Sequence, residues 1–279
     1  MIEYKKYPYR EDEIAQRIEH YSKAEWKHFT TAEAFRFVLG CIDLTSLEGS
    51  DNKQKINDLC QTAINFKDDS RHIPSTAAVC VYPPFVAQAK ALLRGTGIQV
   101  ASVAGAFPAG QSPLDLKVAE VKYAVAAGAD EIDMVISRGK FLEGNYQEVY
   151  DEIVAIKQAC GQARLKVILE TGELKTADNI YAASMIAMEA GADFIKTSTG
   201  KIALNATPES FLIMLDAIAD FYKQNEKMVG MKPAGGISEA EISLIYVKIL
   251  ENVLGEKWLN KQYFRIGASR LAKKIIEKL

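Results

Sequence analysis

Residues 114–137 read LDLKVAEVKYAVAAGADEIDMVIS, and their pattern changes from helical to extended at a glycine. The spacing of the apolar residues predicts a helix over Leu114–Ala127, and Gly128 suits the position just after a helix end. The apolar run that follows predicts a strand over Glu131–Ser137. The same arrangement recurs where Ala190-Gly191 closes a predicted helix over Thr176–Ala190 before another apolar run. Helix and strand therefore alternate closely in this chain.

Short apolar runs rich in β-forming residues are spaced along the whole sequence. They predict eight strands, over Gly40–Leu44, Thr76–Tyr82, Gln99–Ala104, Glu131–Ser137, Leu165–Glu170, Phe194–Ser198, Val229–Pro233 and Phe264–Gly267. Further helices are predicted over Tyr146–Cys160, Pro208–Tyr222 and Glu239–Leu254. Thr207 before Pro208 indicates an N-cap followed by a proline at the first helical position, and Ser238 before Glu239 indicates a second N-cap.

The alternation of strands and helices indicates the fold class. Strands joined through helices form a parallel sheet, and eight such units predict an α/β fold, the closed (β/α)8 TIM barrel. The alternative is an open doubly wound sheet, which is weakened because no GxGxxG motif follows any predicted strand. We expect residues 1–38 to form an N-terminal helical extension packed on the barrel, and residues 39–279 to form the catalytic barrel.

The composition excludes several broad classes of protein. The 279 residues are 48% hydrophobic and 25% charged, which is typical of a globular protein. With 34 basic and 36 acidic residues the net charge is -2, so we expect no nucleic-acid partner. No uncharged apolar run is long enough for a membrane helix, and Met1–Glu13 lacks the apolar core of a signal peptide. We therefore expect a cytoplasmic protein with no membrane partner, whose four scattered cysteines are reduced.

Five of the predicted strands carry a charged residue among apolar neighbours. These residues are Asp43, Asp133, Lys166, Lys196 and Lys232. Any one of them could face outward or form a structural ion pair, but several unpaired charges inside a protein would be strongly destabilising. The strands of a barrel converge on one axis, so the five charges together indicate a polar site inside the barrel.

This mixture of lysines and aspartates favours Schiff-base chemistry. A lysine amine attacks a carbonyl only when it is neutral, and both burial and a neighbouring cation favour the neutral form. An aspartate can then move the protons that the reaction requires. By this argument Lys166, Lys196 and Lys232 are equal candidates for the nucleophile. Cys80 lies on a predicted strand without a histidine partner, so we expect it to line the pocket rather than to react.

The histidines argue against other kinds of catalysis. His20, His28 and His72 all fall outside the predicted strands and have no partner at metal-ligand spacing. The same placement disfavours a Ser/His/Asp triad. We therefore expect no metal and no other cofactor.

Glycine-containing loops follow the last three predicted strands. They contain Thr199-Gly200-Lys201, Gly235-Gly236 and the pair Gly267 and Ser269. Glycines allow backbone N–H groups to approach a ligand closely, and the loops after strands seven and eight commonly bind phosphate in such barrels. A plain turn is the simpler interpretation of Gly235-Gly236 alone, but three adjacent loops favour a phosphate site.

Several long motifs, in order along the chain, resemble those of the deoxyribose-phosphate aldolase family. They are Cys41-Ile-Asp-Leu-Thr45, Ala78-Val-Cys-Val-Tyr-Pro83, Val103-Ala-Gly-Ala-Phe-Pro-Ala-Gly110, Glu131-Ile-Asp-Met-Val135, Glu170-Thr-Gly-Glu-Leu174, Phe194-Ile-Lys-Thr-Ser-Thr-Gly-Lys201, Asn205-Ala-Thr207 and Gly230-Met-Lys-Pro-Ala-Gly-Gly236. The resemblance covers residues 39–272, and the long N-terminal segment is more similar to the animal-type branch than to the shorter bacterial type.

The resemblance implies a reaction and a set of roles. It implies a class I aldolase of nucleoside catabolism that cleaves 2-deoxy-D-ribose 5-phosphate to D-glyceraldehyde 3-phosphate and acetaldehyde. It implies that Lys196 forms the Schiff base, that Lys232 lowers the pKa of Lys196, and that Asp133 moves protons with a water. Asp43 and Lys166 would support the pocket. The phosphate would lie among Thr199, Gly200, Lys201, Gly235, Gly236, Gly267 and Ser269.

Alternatives to this function remain at the level of sequence. One is another Schiff-base sugar-phosphate aldolase, and another is a non-catalytic barrel that binds a sugar phosphate. The expected partners are a sugar phosphate and an aldehyde, together with a second copy of the chain in a homodimer. Two positions depart from the family pattern. The chain ends without the tyrosine of some bacterial members, and Arg270 follows Ser269, where we expect its side chain to face solvent.

Overall fold

The computed structural model describes residues 5–279 and confirms the predicted TIM barrel. The barrel consists of parallel strands in the order β7-β6-β5-β4-β3-β2-β1-β8. The strands within this range are β1 (Ile42–Thr45), β2 (Ala78–Val81), β3 (Gln99–Ala104), β4 (Glu131–Val135), β5 (Arg164–Ile168), β6 (Phe194–Lys196), β7 (Gly230–Lys232) and β8 (Ile266–Ala268). Parallel bridges between Met231 and Phe264 and between Ala234 and Gly267 close the gap between β7 and β8.

Helices join the strands and cover the outside of the barrel. Over residues 5–279 they are α1 (Glu11–Lys23), α2 (Thr31–Gly40), α3 (Lys53–Asn65), α4 (Val86–Leu92), α5 (Leu114–Ala126), α6 (Arg138–Leu142), α7 (Tyr146–Cys160), α8 (Thr171–Leu174), α9 (Ala177–Glu189), α10 (Pro208–Asn225), α11 (Ala240–Val253) and α12 (Leu271–Ile276). The predicted helix over Tyr146–Cys160 is confirmed at both ends. The predicted strand over Phe194–Ser198 is shorter in the structure, where β6 ends at Lys196 and a loop follows.

The ends of the helices test the predicted caps. Thr207 caps α10 by accepting a hydrogen bond from Ser210 N, and Gly128 and Gly191 adopt the positive φ expected after a helix end. The cap predicted at Ser238 is wrong. Glu239 occupies the N-cap of α11. The Ser238 hydroxyl donates to the Glu239 carboxylate at 3.3 Å instead of capping the helix, and Ser238 belongs to the loop after β7.

Alternate residues of each strand face opposite sides of the barrel wall. Ile132 and Met134 of β4 belong to the large apolar core between the strands and the helices. Asp133 lies between them in the sequence and therefore faces the barrel interior. A small apolar cluster that includes Cys80 and Ala101 also lies inside the barrel. The interior is thus shared between a few small apolar side chains and the charged residues of the strands.

The N-terminal helices pack on the outside of the barrel. Helix α1 contacts α10 and α11, and α2 contacts α11 and α12. Arg17 of α1 forms two hydrogen bonds with Asp216 of α10, at 2.6 and 2.7 Å, and Tyr7 donates a third at 2.5 Å. Residues 1–4 of the segment predicted over residues 1–38 lie outside the described residues.

We expect Arg17→Met to lower the free energy of unfolding by about 2 kcal/mol, because the largely buried Asp216 would lose its charged partner. The measurement is urea denaturation followed by circular dichroism. Lys23→Met is the matched control, because Lys23 forms an exposed pair with Glu19 on the same helix and should leave the midpoint unchanged. Equal midpoints for Arg17→Met and Lys23→Met would contradict this role of Arg17.

Cys41, Cys60, Cys80 and Cys160 are all buried with free thiols. Across residues 5–279 no helix has the length and apolar character needed to cross a membrane.

Candidate active site

Seven ionisable side chains meet inside the described barrel. They are Asp43, Glu131, Asp133, Lys166, Lys196, Lys232 and Arg265. They come from β1, β4, β5, β6, β7 and the residue just before β8, and all are buried. The structure therefore brings the five charged residues singled out in the sequence into one network and adds two more.

Asp133 lies at the centre of this network. Its Oδ2 accepts hydrogen bonds from the amines of Lys196 and Lys232, each at 2.7 Å, and its Oδ1 accepts one from Lys166 at 2.8 Å. Many cations around one carboxylate stabilise its ionised form. Burial alone would raise the pKa of Asp133, but Lys166, Lys196 and Lys232 outweigh burial and hold that pKa well below its ordinary range.

Glu131 and Arg265 complete the network on the side away from Lys196. Arg265 donates to Asp43 at 2.7 Å and to Glu131 at 2.8 Å, and Lys166 lies 2.5 Å from Glu131. Sequence reasoning missed both Glu131 and Arg265. The signal that identified the other five residues was present here too, because each is a charged residue beside a run of apolar strand residues.

The charges of the network do not balance when every group is ionised. Across the described residues that form it, four cations face three carboxylates. Charge inside a low-dielectric interior is costly unless it is paired. Loss of one proton from one lysine would make the network neutral.

The lysine that loses a proton most readily is Lys196. Burial lowers the pKa of Lys196 most strongly, Asp133 opposes this effect, and repulsion from Lys232 adds to it, so the pKa falls below its ordinary value. Burial also acts on Lys232, but Asp133 and Asp43 outweigh it and raise the pKa of that amine. The pKa of Lys166 is likewise raised, because burial is outweighed by Asp133 and Glu131. The pKa of Lys196 is therefore lowered whereas those of Lys166 and Lys232 are raised, a difference that the charge pattern of the sequence did not show.

A cavity of about 330 Å³ opens at the carboxyl ends of the strands, where barrel active sites lie. Lys196 is the catalytic candidate that lines it, with 3% of its surface exposed. The predicted phosphate residues line it as well, namely Thr199, Gly200, Lys201, Gly235, Gly236, Gly267 and Ser269. Asp43, Asp133, Lys166 and Lys232 are buried behind Lys196, and Cys80 is buried on β2, where burial raises its pKa to about 11.

The chain resembles known proteins over most of its length. Residues 37–248 match the DeoC/LacD family of aldolases. The chain belongs to the DeoC/LacD aldolase family. This aldolase is therefore an enzyme of the carbon–carbon lyase class.

Relatives and a solved structure agree with this family. The aldolase is 46% identical to the deoxyribose-phosphate aldolase of Homo sapiens over 262 residues, which cover 89% of this chain and 80% of the relative. It is 47% identical to a protein of Caenorhabditis elegans provisionally named as the same enzyme, over 93% of this chain and 86% of the relative. A crystal structure from Coccidioides immitis, also provisionally named so, has 30% identity and a TM-score of 0.74 over 97% of this chain and 98% of that one.

Charged side chains lie at the mouth of the aldolase cavity. Lys201 extends from the loop after β6, and its amine lies 3.0 Å from a carboxylate oxygen of the exposed Glu48. Arg270, which we expected to face solvent, is exposed and also lines the cavity. The mouth therefore carries two cations and one carboxylate that a bound anion would meet.

The two adjacent glycines after β7 give the cavity wall its shape. Gly235 and Gly236 have φ values of +82° and +81°, in the left-handed region that glycine adopts most readily. Successive N–H groups in such a turn form a concave surface suited to an anion. A Cβ atom on Gly235 would lie 2.7 Å from the side chain of Asn205, whereas one on Gly236 would meet no described atom within 4 Å.

We expect Gly235→Ala to raise the Kd of inorganic phosphate by at least tenfold, because the added methyl group would push Asn205 and the loop out of place. Gly236→Ala is the matched control, since it introduces the same backbone strain without the collision, and its effect should be several times smaller. Isothermal titration calorimetry measures both. Equal weakening in the two variants would assign the effect to backbone strain alone.

Proposed function

We propose that this aldolase cleaves 2-deoxy-D-ribose 5-phosphate to D-glyceraldehyde 3-phosphate and acetaldehyde through a Schiff base on Lys196. One observation carries the proposal. Of the three lysines in the interior network, Lys196 alone combines a lowered pKa with a place on the cavity wall. A reactive amine needs both a neutral form and access to the substrate. The human relative, named as a deoxyribose-phosphate aldolase, supports this choice of substrate.

The covalent steps balance without a cofactor. The neutral Lys196 amine attacks the C1 aldehyde of the open-chain sugar to give a carbinolamine. Its hydroxyl takes up a proton and leaves as water, which gives a cationic iminium. Removal of the C3 hydroxyl proton turns that hydroxyl into a carbonyl and breaks the C2–C3 bond. The electron pair of the C2–C3 bond moves into the iminium to form an enamine. Glyceraldehyde 3-phosphate leaves at this point. Protonation of the enamine carbon and addition of water then release acetaldehyde and restore the amine.

Asp133 and Lys232 would assist these steps. The Asp133 carboxylate lies 2.7 Å from the Lys196 amine, so its negative charge would stabilise the iminium that forms there. Asp133 also accepts from Lys232 at 2.7 Å, so protons can pass between the two amines through single hydrogen bonds. Lys232 would be cationic when Lys196 attacks and would keep the pKa of Lys196 low at that point.

The phosphate would lie at the other end of the cavity from Lys196. The loops after β6, β7 and β8 supply glycine N–H groups, and Lys201 and Arg270 supply positive charge. A cavity of about 330 Å³ accommodates a molecule of the size of a pentose phosphate. A homodimer, predicted from the sequence, stays a prediction.

The decisive experiment traps the covalent intermediate. The protein is incubated with 2-deoxyribose 5-phosphate and reduced with borohydride, and the modified peptide is identified by mass spectrometry. We expect one adduct, on Lys196. An adduct on Lys166 or Lys232 would keep the reaction class but overturn the nucleophile. Fructose 1,6-bisphosphate in parallel tests a different Schiff-base aldolase, and binding without any adduct would favour a non-catalytic barrel.

A further inference from the structure

Glu170 is a buried carboxylate directly behind the cavity wall that the Schiff-base chemistry does not use. It follows β5 and is fully buried. Its backbone has φ +58° and ψ +59°, a left-handed conformation that is uncommon for a residue with a side chain. Such a conformation persists where surrounding contacts hold it in place. The contacts of the Glu170 carboxylate identify what it holds.

The Glu170 carboxylate takes both hydrogen-bond donors of Thr199. Oε1 accepts from Thr199 N at 3.1 Å, and Oε2 accepts from the Thr199 hydroxyl at 2.5 Å. The same hydroxyl oxygen accepts from Lys201 N at 3.1 Å. Thr199 therefore turns its donors away from the cavity, and its role is to fix the course of the loop through Gly200 to Lys201. This differs from the direct contact with phosphate that the sequence suggested for Thr199.

Arg138 neutralises the charge of Glu170. Its Nη1 donates to Glu170 at 3.1 Å, and its Nη2 donates to the carbonyl oxygen of Ala109 in the loop after β3. A bare carboxylate beside a phosphate site would repel the ligand. Paired with Arg138, the carboxylate can hold Thr199 without that repulsion. Hydrogen bonds through Ala109, Arg138, Glu170 and Thr199 thus link the segments that follow β3, β4, β5 and β6.

We propose that Glu170, paired with Arg138, is a positioning residue that holds the Thr199–Lys201 loop in the form that binds the substrate phosphate. The proposal rests on the proposed function for its substrate. Glu170 would act through Thr199 and would touch neither the substrate nor Lys196. It would therefore set the preference for a phosphorylated substrate over the same sugar without phosphate, and leave the chemical step unchanged.

The test is Glu170→Gln, which keeps the shape of the side chain. The amide has one oxygen and two N–H donors, so it cannot accept both Thr199 donors and pair with Arg138. We expect kcat/KM for 2-deoxyribose 5-phosphate to fall about tenfold or more, mostly through KM, as for loss of a hydrogen bond to a charged group. The kcat/KM for unphosphorylated 2-deoxyribose should stay within twofold of the parent enzyme.

Two further variants separate positioning from a general loss of structure. Glu173→Gln is the matched control, because Glu173 also pairs with Arg138, at Nε, but is only half-buried and does not contact Thr199 through a hydrogen bond. It should leave kcat/KM unchanged for both 2-deoxyribose 5-phosphate and 2-deoxyribose. Thr199→Val should lower kcat/KM for 2-deoxyribose 5-phosphate selectively, as Glu170→Gln does. Thr199→Ser keeps the hydroxyl and should retain most of the preference for the phosphorylated sugar. The double variant of Glu170→Gln and Thr199→Val should be no worse than either single variant, because the two residues act through one contact.

Binding of inorganic phosphate distinguishes this proposal from the proposed reaction. If the parent enzyme fails to cleave 2-deoxyribose 5-phosphate, the proposed function is wrong, yet Glu170→Gln should still raise the Kd of phosphate by calorimetry. Equal losses on both sugars in Glu170→Gln would overturn the positioning role, and so would an unchanged Kd for inorganic phosphate.

Discussion

Lys196→Ala should abolish turnover of 2-deoxyribose 5-phosphate. Without the amine no covalent intermediate forms, and we expect kcat to fall by about 10⁴-fold to 10⁶-fold, the scale seen when a covalent nucleophile is removed. The rate is measured by coupling release of glyceraldehyde 3-phosphate to its oxidation by a dehydrogenase. The borohydride adduct should disappear in the same variant.

The folded state of Lys196→Ala should survive. Asp133 keeps Lys166 and Lys232 as partners, and three cations then face three carboxylates in the network. The thermal midpoint and the Kd of inorganic phosphate should therefore stay close to those of the parent enzyme. Lys140→Ala is the control for loss of a lysine from the surface, since Lys140 forms an exposed pair with Glu148. More than a few per cent of parental activity in Lys196→Ala would exclude it as the nucleophile.

Lys232→Met should produce the second large effect, through the pKa of Lys196. The variant removes the cation that repels the Lys196 amine and frees Asp133 to attract it. With three cations and three carboxylates left, the network is neutral only while Lys196 keeps its proton. The pKa of Lys196 therefore rises, and the attacking neutral form becomes scarcer at neutral pH.

The acidic limb of the kcat/KM profile reports this change. A nucleophile with a higher pKa becomes neutral at a higher pH, so the limb should move upward by about one to two pH units. Activity at pH 7 should fall about 10-fold to 100-fold and recover in part at alkaline pH. Lys232→Arg keeps the charge and should leave the limb where it is, whatever its effect on the maximum. An unmoved limb in Lys232→Met would contradict this account.

Much of the fold followed from local patterns. The helix over Tyr146–Cys160 and the glycines at 128 and 191 were identified because each reflects a rule that acts within a few residues. The N-cap of α11 was misplaced by one residue, since the side chain of Ser238 bonds to its neighbour and not to the helix. That choice depends on the loop after β7, which the local sequence does not determine.

The sequence predicted most of the residues of the site but not which of its lysines is the nucleophile. Alternation along the strands turns Asp43, Asp133 and the three lysines inward, whatever their roles. Which lysine loses its proton depends on contacts across the barrel. In the described structure Lys196 pairs with Asp133, whereas Lys232 pairs with Asp43 as well and Lys166 with Glu131 as well. Asp43 and Glu131 lie on β1 and β4, not on the strands of the lysines they pair with. The difference in pKa between the three lysines therefore depends on contacts that only the folded structure shows.

The excess positive charge of the network has a consequence for how stability varies with pH. In the unfolded chain Lys196 has its ordinary pKa near 10.4, whereas folding lowers that pKa. Between the two values the unfolded chain binds more protons, so this residue makes folding more favourable as the pH rises. Proton release from Lys196 removes the excess positive charge of the network and also produces the neutral amine that attacks the substrate. At neutral pH the lowered pKa of Lys196 still disfavours the folded state, so reactivity at this position is gained at some expense of stability.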